Sequence, residues 1–135
     1  MTSNKGMHEA CFMKEKCLQY DTCPMVLVQD LLSGKRKILI LWYLNYGTLR
    51  FNEIKGKMPD VTQKMLTQQL RSLEKDGLIY RNVYPVVPPK VEYGLTKLGK
   101  KIIPILKMMH GFGAHYLEKN PNIPDENNIS TAKTL

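Results

Sequence analysis

The sequence predicts an α+β domain that is mainly α-helical and carries one hairpin after its middle. A helical period of apolar residues runs through "QKMLTQQLRSLEK" and stops at Gly77. The period then becomes two in "LIYRNVY" and again in "KVEYGLT", which is typical of two half-buried strands. The "PVVPP" between them projects as a stiff loop, because proline cannot donate a ladder hydrogen bond. A helix pair followed by such a hairpin is the outline of a winged helix-turn-helix with a two-stranded wing.

Two apolar helices are predicted before this region. "CPMVLVQDLLSG" has Pro24 at a first helical position and Gly34 as a stop. "KRKILILWYLNYG" is apolar on nearly every side from Ile38 to Leu44, which indicates a helix buried at the centre of the domain. A buried strand is the alternative for "ILIL", which has no resolvable period. The length of the segment and its flanking glycines favour a helix.

The helix-turn-helix itself is predicted between Thr48 and Asp76. "TLRFNEIKGKM" begins extended and continues as a small helix that Pro59 ends. After a turn of about four residues, Thr62 is a natural N-cap for a second helix over 62–76. The leucines of that helix share one face, and its polar side chains occupy the opposite one.

A long last helix is predicted from Thr96, with Pro104 producing a kink inside it. Its apolar stripe is longer than one small winged domain covers, and the helix after Cys23 is similarly apolar. The two helices are therefore expected to bury each other across a two-fold axis, which predicts a homodimer. The expected organisation is an N-terminal arm over 1–22, the domain over 23–117 and a disordered tail over 118–135. The stripe consists of Leu98, Ile102, Ile105, Leu106 and Met109.

Composition places the chain among globular proteins. It has 135 residues, of which 43% are hydrophobic and 24% charged, and no apolar run approaches the roughly 18 to 20 residues that cross a bilayer. The N-terminus lacks the apolar core of a secretory signal, so a cytoplasmic location without membrane contact is expected. Three cysteines, an odd number, favour reduced thiols over a disulfide framework.

The positive charge is concentrated in the middle of the chain. Of the net charge of +8, residues 35–101 carry 14 basic and 5 acidic side chains. Residues 1–34 carry 3 and 4, and residues 102–135 carry 3 and 3. Such a segment is either a solvated basic surface or a face that binds a polyanion.

The side chains of the second helix indicate which polyanion is bound. A B-form major groove admits one helix, and Arg, Lys, Gln and Thr hydrogen-bond base edges there. At the base of the wing, residues 82–91, two further cations are placed to meet phosphate or the minor groove. Each residue alone would be an ordinary exposed polar side chain, but together they predict sequence-specific binding of double-stranded DNA. The predicted contact residues are Thr62, Gln63, Lys64, Thr67, Gln68 and Arg71 on the helix, and Arg81 and Lys90 at the wing.

Three segments also resemble a known family. "RFNEI", "MLTQQLRSLEKDGLIYR" and "VPPKVEYGLTKLGKKI" are similar to the signature segments of HxlR-type winged helix-turn-helix regulators, bacterial transcription factors allied to the MarR group. The resemblance runs from about Cys23 to Leu117. It implies a homodimeric transcriptional regulator, joined through its first and last helices, that binds a pseudo-palindromic operator. It also implies a sensor role for Cys23, because a cysteine at this place responds to electrophiles or oxidants in several members.

The thiols allow two interpretations. Cys23 precedes Pro24 at a helix N-terminus, where the helix dipole stabilises the reactive thiolate, but it could equally be a small buried hydrophobe. Cys11 and Cys17 in the arm could supply a resolving thiol or be inert. The spacing of six residues between successive cysteines does not match structural zinc sites, so neither a metal nor a cofactor is predicted.

The sequence argues against one other class of function and leaves a second open. A catalytic cysteine with His8, His110 or His115 would need a recognisable site, yet the last two flank Gly111 and Gly113 in what looks like a helix end, with no phosphate loop, carboxylate pair or nucleophile motif. A non-enzyme is therefore predicted. A winged helix that binds RNA or another protein remains the alternative, and it would lack a salt-dependent affinity for duplex DNA.

Overall fold

A computed structural model describes residues 23–122, and the chain divides into two compact units after Gly34. Within the described residues, no helix combines the length and the apolar character needed to cross a membrane. Several predictions lie outside the described residues: those for the arm over 1–22, for residues 123–135 of the tail predicted over 118–135, and for His8, Cys11 and Cys17.

The first unit contains helix α1, Pro24–Leu32, between the start and stop residues predicted for it. Its end is fixed by Ser33, whose backbone N–H and side-chain Oγ both donate to the Asp30 carbonyl oxygen, at 3.3 and 2.9 Å. No residue of α1 is buried, although the helix is mostly apolar. Met25 and Leu27, with exposures of 72% and 48%, therefore form part of an apolar surface on this helix.

The second unit is the predicted winged helix-turn-helix. Helices α3 and α4 with the turn between them form the helix-turn-helix, and strands β2 and β3 form the wing. Thr62 and Asp76, the first and last residues of the predicted second helix, are the N-cap and C-cap of α4. The elements are α2 Lys37–Leu44, β1 Leu49–Arg50, α3 Phe51–Lys57, α4 Gln63–Lys75, β2 Ile79–Tyr84, β3 Lys90–Leu95 and α5 Lys97–Lys119.

The sheet is antiparallel, with β3 between β1 and β2. The wing pairs from Ile79 opposite Leu95 at its base to Tyr84 opposite Lys90 at the loop. β1 adds only two residues, with Leu49 opposite Tyr93, so it anchors the base of the wing to the segment that enters α3.

The core surrounds α2, as its apolar character on nearly every side predicts. Ile40 and Leu41 of α2 are 1% and 0% exposed. The predicted leucine face of α4 is also buried, since Leu66, Leu70 and Leu73 are at most 1% exposed. These contacts fix the orientation of α4, and its polar face is turned outward. The other buried side chains of this unit are Lys37, Tyr43, Leu44, Ile54, Met58, Val61, Leu78, Ile79, Leu95, Ile102, Ile103 and Leu106.

The prediction that both wing strands are half-buried is wrong for β2. Only Ile79 of this strand is buried, while Tyr80, Val83 and Tyr84 are 37%, 55% and 38% exposed. The side chains do alternate, but the hairpin extends beyond the body of the unit, and β2 is exposed on both faces after Ile79. The period of two therefore predicts a strand here, but it does not predict that one face of the strand is buried.

The expected helix end near Gly111 and Gly113 is also wrong. α5 runs without interruption through Pro104 and both glycines to Lys119. Each glycine costs a helix interior only about 1 kcal/mol, which the rest of a long helix tolerates. The helix instead ends at Asn120, whose Nδ2 and backbone N–H both donate to the Tyr116 carbonyl oxygen.

The apolar residues of α5 lie on two faces. One face packs into the core through Gly99, Ile102, Ile103 and Leu106. The other is exposed among the described residues, and we call it the α5 stripe; Phe112, which is 70% exposed, is its most accessible residue. The α5 stripe consists of Leu98, Ile105, Met109, Phe112 and Tyr116.

Candidate nucleic-acid interface

Two of the predicted contact residues of α4 form hydrogen bonds within the N-terminal half of the helix. Thr62 Oγ1 accepts the Met65 backbone N–H at 3.1 Å, which confirms the N-cap. Thr67 is half-buried, and its Oγ1 donates to the Gln63 carbonyl oxygen at 2.8 Å. Both hydroxyls are therefore engaged within the helix, and base contacts by these threonines stay a prediction.

The other predicted residues of α4 are exposed. At 100° per residue, Lys64, Gln68 and Arg71 lie within about 60° of one another, on the side opposite the buried leucines. Gln63 is exposed as well but is turned about 100° away from Lys64 along the first turn. Lys75 is exposed in the same sector, so the helix presents one narrow stripe with three cations and an amide, which we call the α4 stripe.

A cleft of about 270 Å³ lies between α4 and the wing. Arg71 from α4 and Arg81 from β2 both line it, although they are ten positions apart in the sequence. Arg81 Nε lies 4.0 Å from Glu74 Oε1, and both side chains are about half exposed, so their attraction is weak in water. The remaining lining residues are Phe51, Thr67, Glu74 and Tyr93.

Sequence reasoning missed Glu74 and Tyr93 in this cleft. Tyr93 is partly buried, and desolvation raises the pKa of its phenol. The i, i+3 spacing of Arg71 and Glu74 on one helix was a signal that both side chains face the same way. The position of Tyr93 depends on the register of β3 against β1 and β2, which no local pattern specifies.

Lys90 is placed differently from Arg81. Its Nζ lies 2.8 Å from Glu92 Oε1 and 5.2 Å from the centroid of the Tyr84 ring. The hydrogen bond from Lys90 is the main reason why the pKa of Glu92 is lowered. Lys90 is therefore the charged partner of an acidic residue within the wing, and any contact with DNA must compete with that pair.

Comparison with known proteins identifies the family of this chain. A model of the HxlR-like helix-turn-helix family matches residues 31–121. The chain belongs to the HxlR-like family. It is 44% identical over 100 residues to the HTH-type transcriptional regulator YdeP of Bacillus subtilis (strain 168), covering 74% of this chain and 78% of YdeP. The relatives are transcriptional regulators, which argues against an enzyme.

Two solved structures of similar regulators show the same fold. The crystal structure of YtcD has a TM-score of 0.69 and 46% identity, covering 70% of this chain and 97% of that one. The redox regulator HypR in its reduced form has a TM-score of 0.65 and 41% identity, covering 73% of this chain and 94% of HypR. This HxlR-like protein is therefore a transcriptional regulator with a helix-turn-helix fold.

Two basic residues at the start of α2 hold the helix-turn-helix of this HxlR-like regulator in place. Arg36, in a left-handed conformation with φ of 68°, donates through Nε and Nη2 to Asp60 Oδ2, at 3.1 and 2.6 Å. Lys37 is only 6% exposed, and its Nζ donates to Ser72 Oγ in the last turn of α4 at 2.7 Å. A cation there also opposes the negative end of the α4 dipole.

Replacing Asp60 by asparagine should remove a pH-dependent part of the stability. The hydrogen bond from Arg36 is the main cause of the lowered pKa of Asp60, so this contribution is complete above the unfolded-state pKa of about 4 and is lost as the pH falls through the lower folded-state pKa. Because the pair is partly exposed, we expect a loss of only about 0.5 kcal/mol at pH 7.

Urea unfolding of both proteins at several pH values measures this contribution. The difference between them should shrink as the pH falls below about 4. A difference that stays constant across that range would contradict the role of the Asp60 charge.

Proposed function

We propose that the protein regulates transcription as a homodimer that binds double-stranded DNA in a sequence-specific manner. In this proposal α4 lies in the major groove, and the wing, residues 82–91, contacts the adjacent backbone or minor groove. The observation that carries the proposal is the α4 stripe, which lies opposite the leucines that fix the helix to the core. Cations and amides at such positions match the hydrogen-bonding edges of bases in a major groove.

The cleft between α4 and the wing supports the same arrangement. A helix in the major groove and a wing in the next minor groove must have a sugar-phosphate strand between them. Arg71 and Arg81 line the space where that strand would pass, and the ion pair of Arg81 with Glu74 is long, at 4.0 Å. A phosphate can therefore replace Glu74 as the partner of Arg81 without breaking a buried interaction.

A salt titration tests DNA binding directly. Affinity for a fragment selected from genomic DNA is measured at increasing salt, and each phosphate contact adds a slope of about −0.9 to log affinity against log salt. A slope of about −4 or steeper is expected for a dimer that uses both arginines in each subunit. Binding to duplex DNA without such dependence would favour the alternative, a winged helix that binds protein or RNA.

The homodimer rests on apolar surface that each unit leaves exposed. α1 buries none of its residues, and the α5 stripe runs from Leu98 to Tyr116 along one side of the last helix. Monomeric proteins rarely expose contiguous apolar surface of this extent. For both copies of α4 to enter successive major grooves, a two-fold dimer must hold them about 34 to 36 Å apart, and the operator should then be an inverted repeat.

We expect Phe112→Asp to convert a dimer into a monomer. Phe112 is 70% exposed and lies within the α5 stripe, so a buried carboxylate would have no partner in the interface. Lys107→Asp is the matched control, because Lys107 is exposed on the opposite side of the same helix. Sedimentation velocity at micromolar concentration measures the outcome. A wild-type monomer, or equal effects of the two substitutions, would contradict the proposed interface.

Cys23 is the proposed sensor of electrophiles or oxidants. It is the N-cap residue of α1 and is 1% exposed, so oxidation requires local opening around it. Burial alone does not distinguish a sensor thiol from a cysteine that packs as a small hydrophobic residue. The redox regulator HypR, which is 41% identical to this chain, is the comparison that favours sensing.

Diamide treatment distinguishes the two roles of Cys23. If the thiol is the sensor, oxidation should change the operator affinity of the wild-type protein by about tenfold and leave that of Cys23→Ser unchanged. The single variants Cys11→Ser and Cys17→Ser show whether either thiol is the resolving partner. The same response in wild type and Cys23→Ser would remove Cys23 as the sensor.

A further inference from the structure

The tip of the wing, residues 85–89, carries no charged side chain. Its sequence is "PVVPP", and it follows Tyr84 and precedes Lys90, the last paired positions of the hairpin. Val87 is 99% exposed, and Val86 is 53% exposed. The end of the hairpin therefore presents an apolar surface to solvent.

The wing tip also has few groups that can hold a phosphate. Proteins bind phosphate oxygens through cations, polar side chains and backbone N–H groups. Three of the five tip residues are prolines, which have no N–H, and the Val86 N–H donates to the Tyr84 carbonyl oxygen at 2.8 Å. The neighbouring cation is Lys90, whose Nζ lies 2.8 Å from Glu92 Oε1. A tip that rested on the sugar-phosphate backbone would therefore have little with which to bind it.

The length of the wing carries its tip past the DNA strand that we place beside Arg81. In the proposed complex that strand passes through the cleft lined by Arg81. Tyr84, the last residue of β2, is three positions further along, and a strand rises about 3.3 Å per residue. The tip therefore begins about 10 Å from Arg81, far enough to reach over the neighbouring minor groove, which is about 6 Å wide.

We propose that Val86 and Val87 enter the minor groove and select A·T base pairs there. Every base pair presents acceptors on the floor of this groove, but G·C adds the amino group of guanine, which is a donor. A valine side chain has no acceptor for this group and would leave it buried and unpaired, which is unfavourable. The inference rests on the proposed DNA binding and adds two specificity-determining residues to it.

Prolines on both sides of the two valines limit the movement of the tip. Pro85 precedes the valines and Pro88 follows them, and the ring of each proline fixes its φ angle. Little conformational entropy is then lost when the tip enters a groove. The branched valine side chain is itself stiff, so it does not turn aside easily to admit an amino group. Both properties favour discrimination between base pairs.

Modified bases test the inference without changing the major-groove edge that α4 would contact. Diaminopurine in place of adenine adds the minor-groove amino group, and inosine in place of guanine removes it. Each base is introduced at one position at a time along the selected operator, and fluorescence anisotropy measures the affinity. Within one short window in each half-site, we expect diaminopurine to weaken binding by about tenfold and inosine to cause no loss, because only the added amino group is left unpaired.

Substitutions of valine by threonine provide the matched variants. Val87→Thr keeps the shape of the side chain and adds a hydroxyl that can accept from the amino group, so this variant should bind the adenine and diaminopurine duplexes about equally. Val83→Thr makes the same change at a 55% exposed position of β2, before the tip, and should keep the tenfold discrimination. Since both positions are exposed, neither substitution should impair folding.

The outcomes separate this inference from the proposed DNA binding. If the wild-type protein binds the operator with the expected salt dependence but tolerates the added amino group at every position, the inference is overturned and DNA binding by α4 stands. A wing tip that contacts another protein would give that result. Discrimination that survives in Val87→Thr, or that is lost equally in Val83→Thr, would also overturn it. Absence of salt-dependent binding to the unmodified operator would contradict the proposed function and remove this inference with it.

Discussion

Replacing Gly99 by alanine is expected to lower the free energy of unfolding by about 3 kcal/mol, because the added methyl group has no space. A Cβ at Gly99 would overlap the Leu78 carbonyl oxygen, a backbone atom that cannot turn aside, and would come within 3.3 Å of Leu95 Cδ2. That carbonyl also accepts the Thr96 backbone N–H at 3.2 Å, so moving it disturbs a second contact.

The site matters because it joins α5 to the base of the wing. Thr96 caps α5 by accepting the Gly99 backbone N–H at 3.0 Å, and its hydroxyl donates to the Gly77 carbonyl oxygen at 2.6 Å. The close approach at Gly99 thus sets how the wing leaves the body of the domain. A substitution there should weaken DNA binding as well as stability.

Gly111→Ala in the same helix is the matched control. A Cβ at Gly111 would meet nothing within 4 Å, so alanine there should raise the stability by about 0.5 to 1 kcal/mol through its higher helix propensity. Urea unfolding of both variants measures the difference. If Gly99→Ala is no less stable than Gly111→Ala, the close approach at Gly99 is not present in solution.

Removing both arginines of the cleft, in the variant Arg71→Gln/Arg81→Gln, should weaken operator binding by roughly 100-fold at physiological salt. Both arginines line the cleft between α4 and the wing. In the proposed complex they contact the DNA backbone, so losing both in each subunit should flatten the salt dependence markedly. The variant should still fold, because both side chains are exposed and neither belongs to the core.

The control variant also removes two positive charges, but from another part of the protein. Lys107→Gln/Lys119→Gln changes two exposed cations of α5, away from α4 and the wing in the sequence. Fluorescence anisotropy with the selected operator and with a scrambled duplex measures both variants. An equal loss in the two pairs would mean that the effect follows net charge alone. A loss only on the operator would mean that at least one of the two arginines contacts a base edge instead of phosphate.

Local patterns in the sequence were sufficient for most of the fold. The leucines of α4 predicted its buried face, and Thr62 and Gly77 predicted its limits, because caps and amphipathic period are properties of neighbouring residues. The same reasoning failed for the exposed β2 and for the glycines of α5. Whether a projecting hairpin is buried, and whether a long helix continues, depends on residues that are close in space but distant in the sequence.

The candidate site was predictable only in part for the same reason. Exposed Lys64, Gln68 and Arg71 follow from helical period, but the meeting of Arg71 with Arg81 and Tyr93 follows from the way the wing folds back on α4. Buried Lys37 was also missed, because its ammonium reaches Ser72 across 35 positions of the chain. A lysine beside an apolar run is predicted to be exposed, because the sequence does not reveal a distant hydrogen-bond partner.

The orientation of α4 on DNA is the central claim, and affinity cleavage measures it most directly. A Gln68→Cys protein whose native cysteines are serine, labelled with iron-EDTA, should cut the operator at two clusters about 10 base pairs apart, one in each half-site. The same label on a Lys107→Cys protein should give no such clusters. Absence of cleavage from position 68 while binding persists, or the same pattern from position 107, would contradict the account.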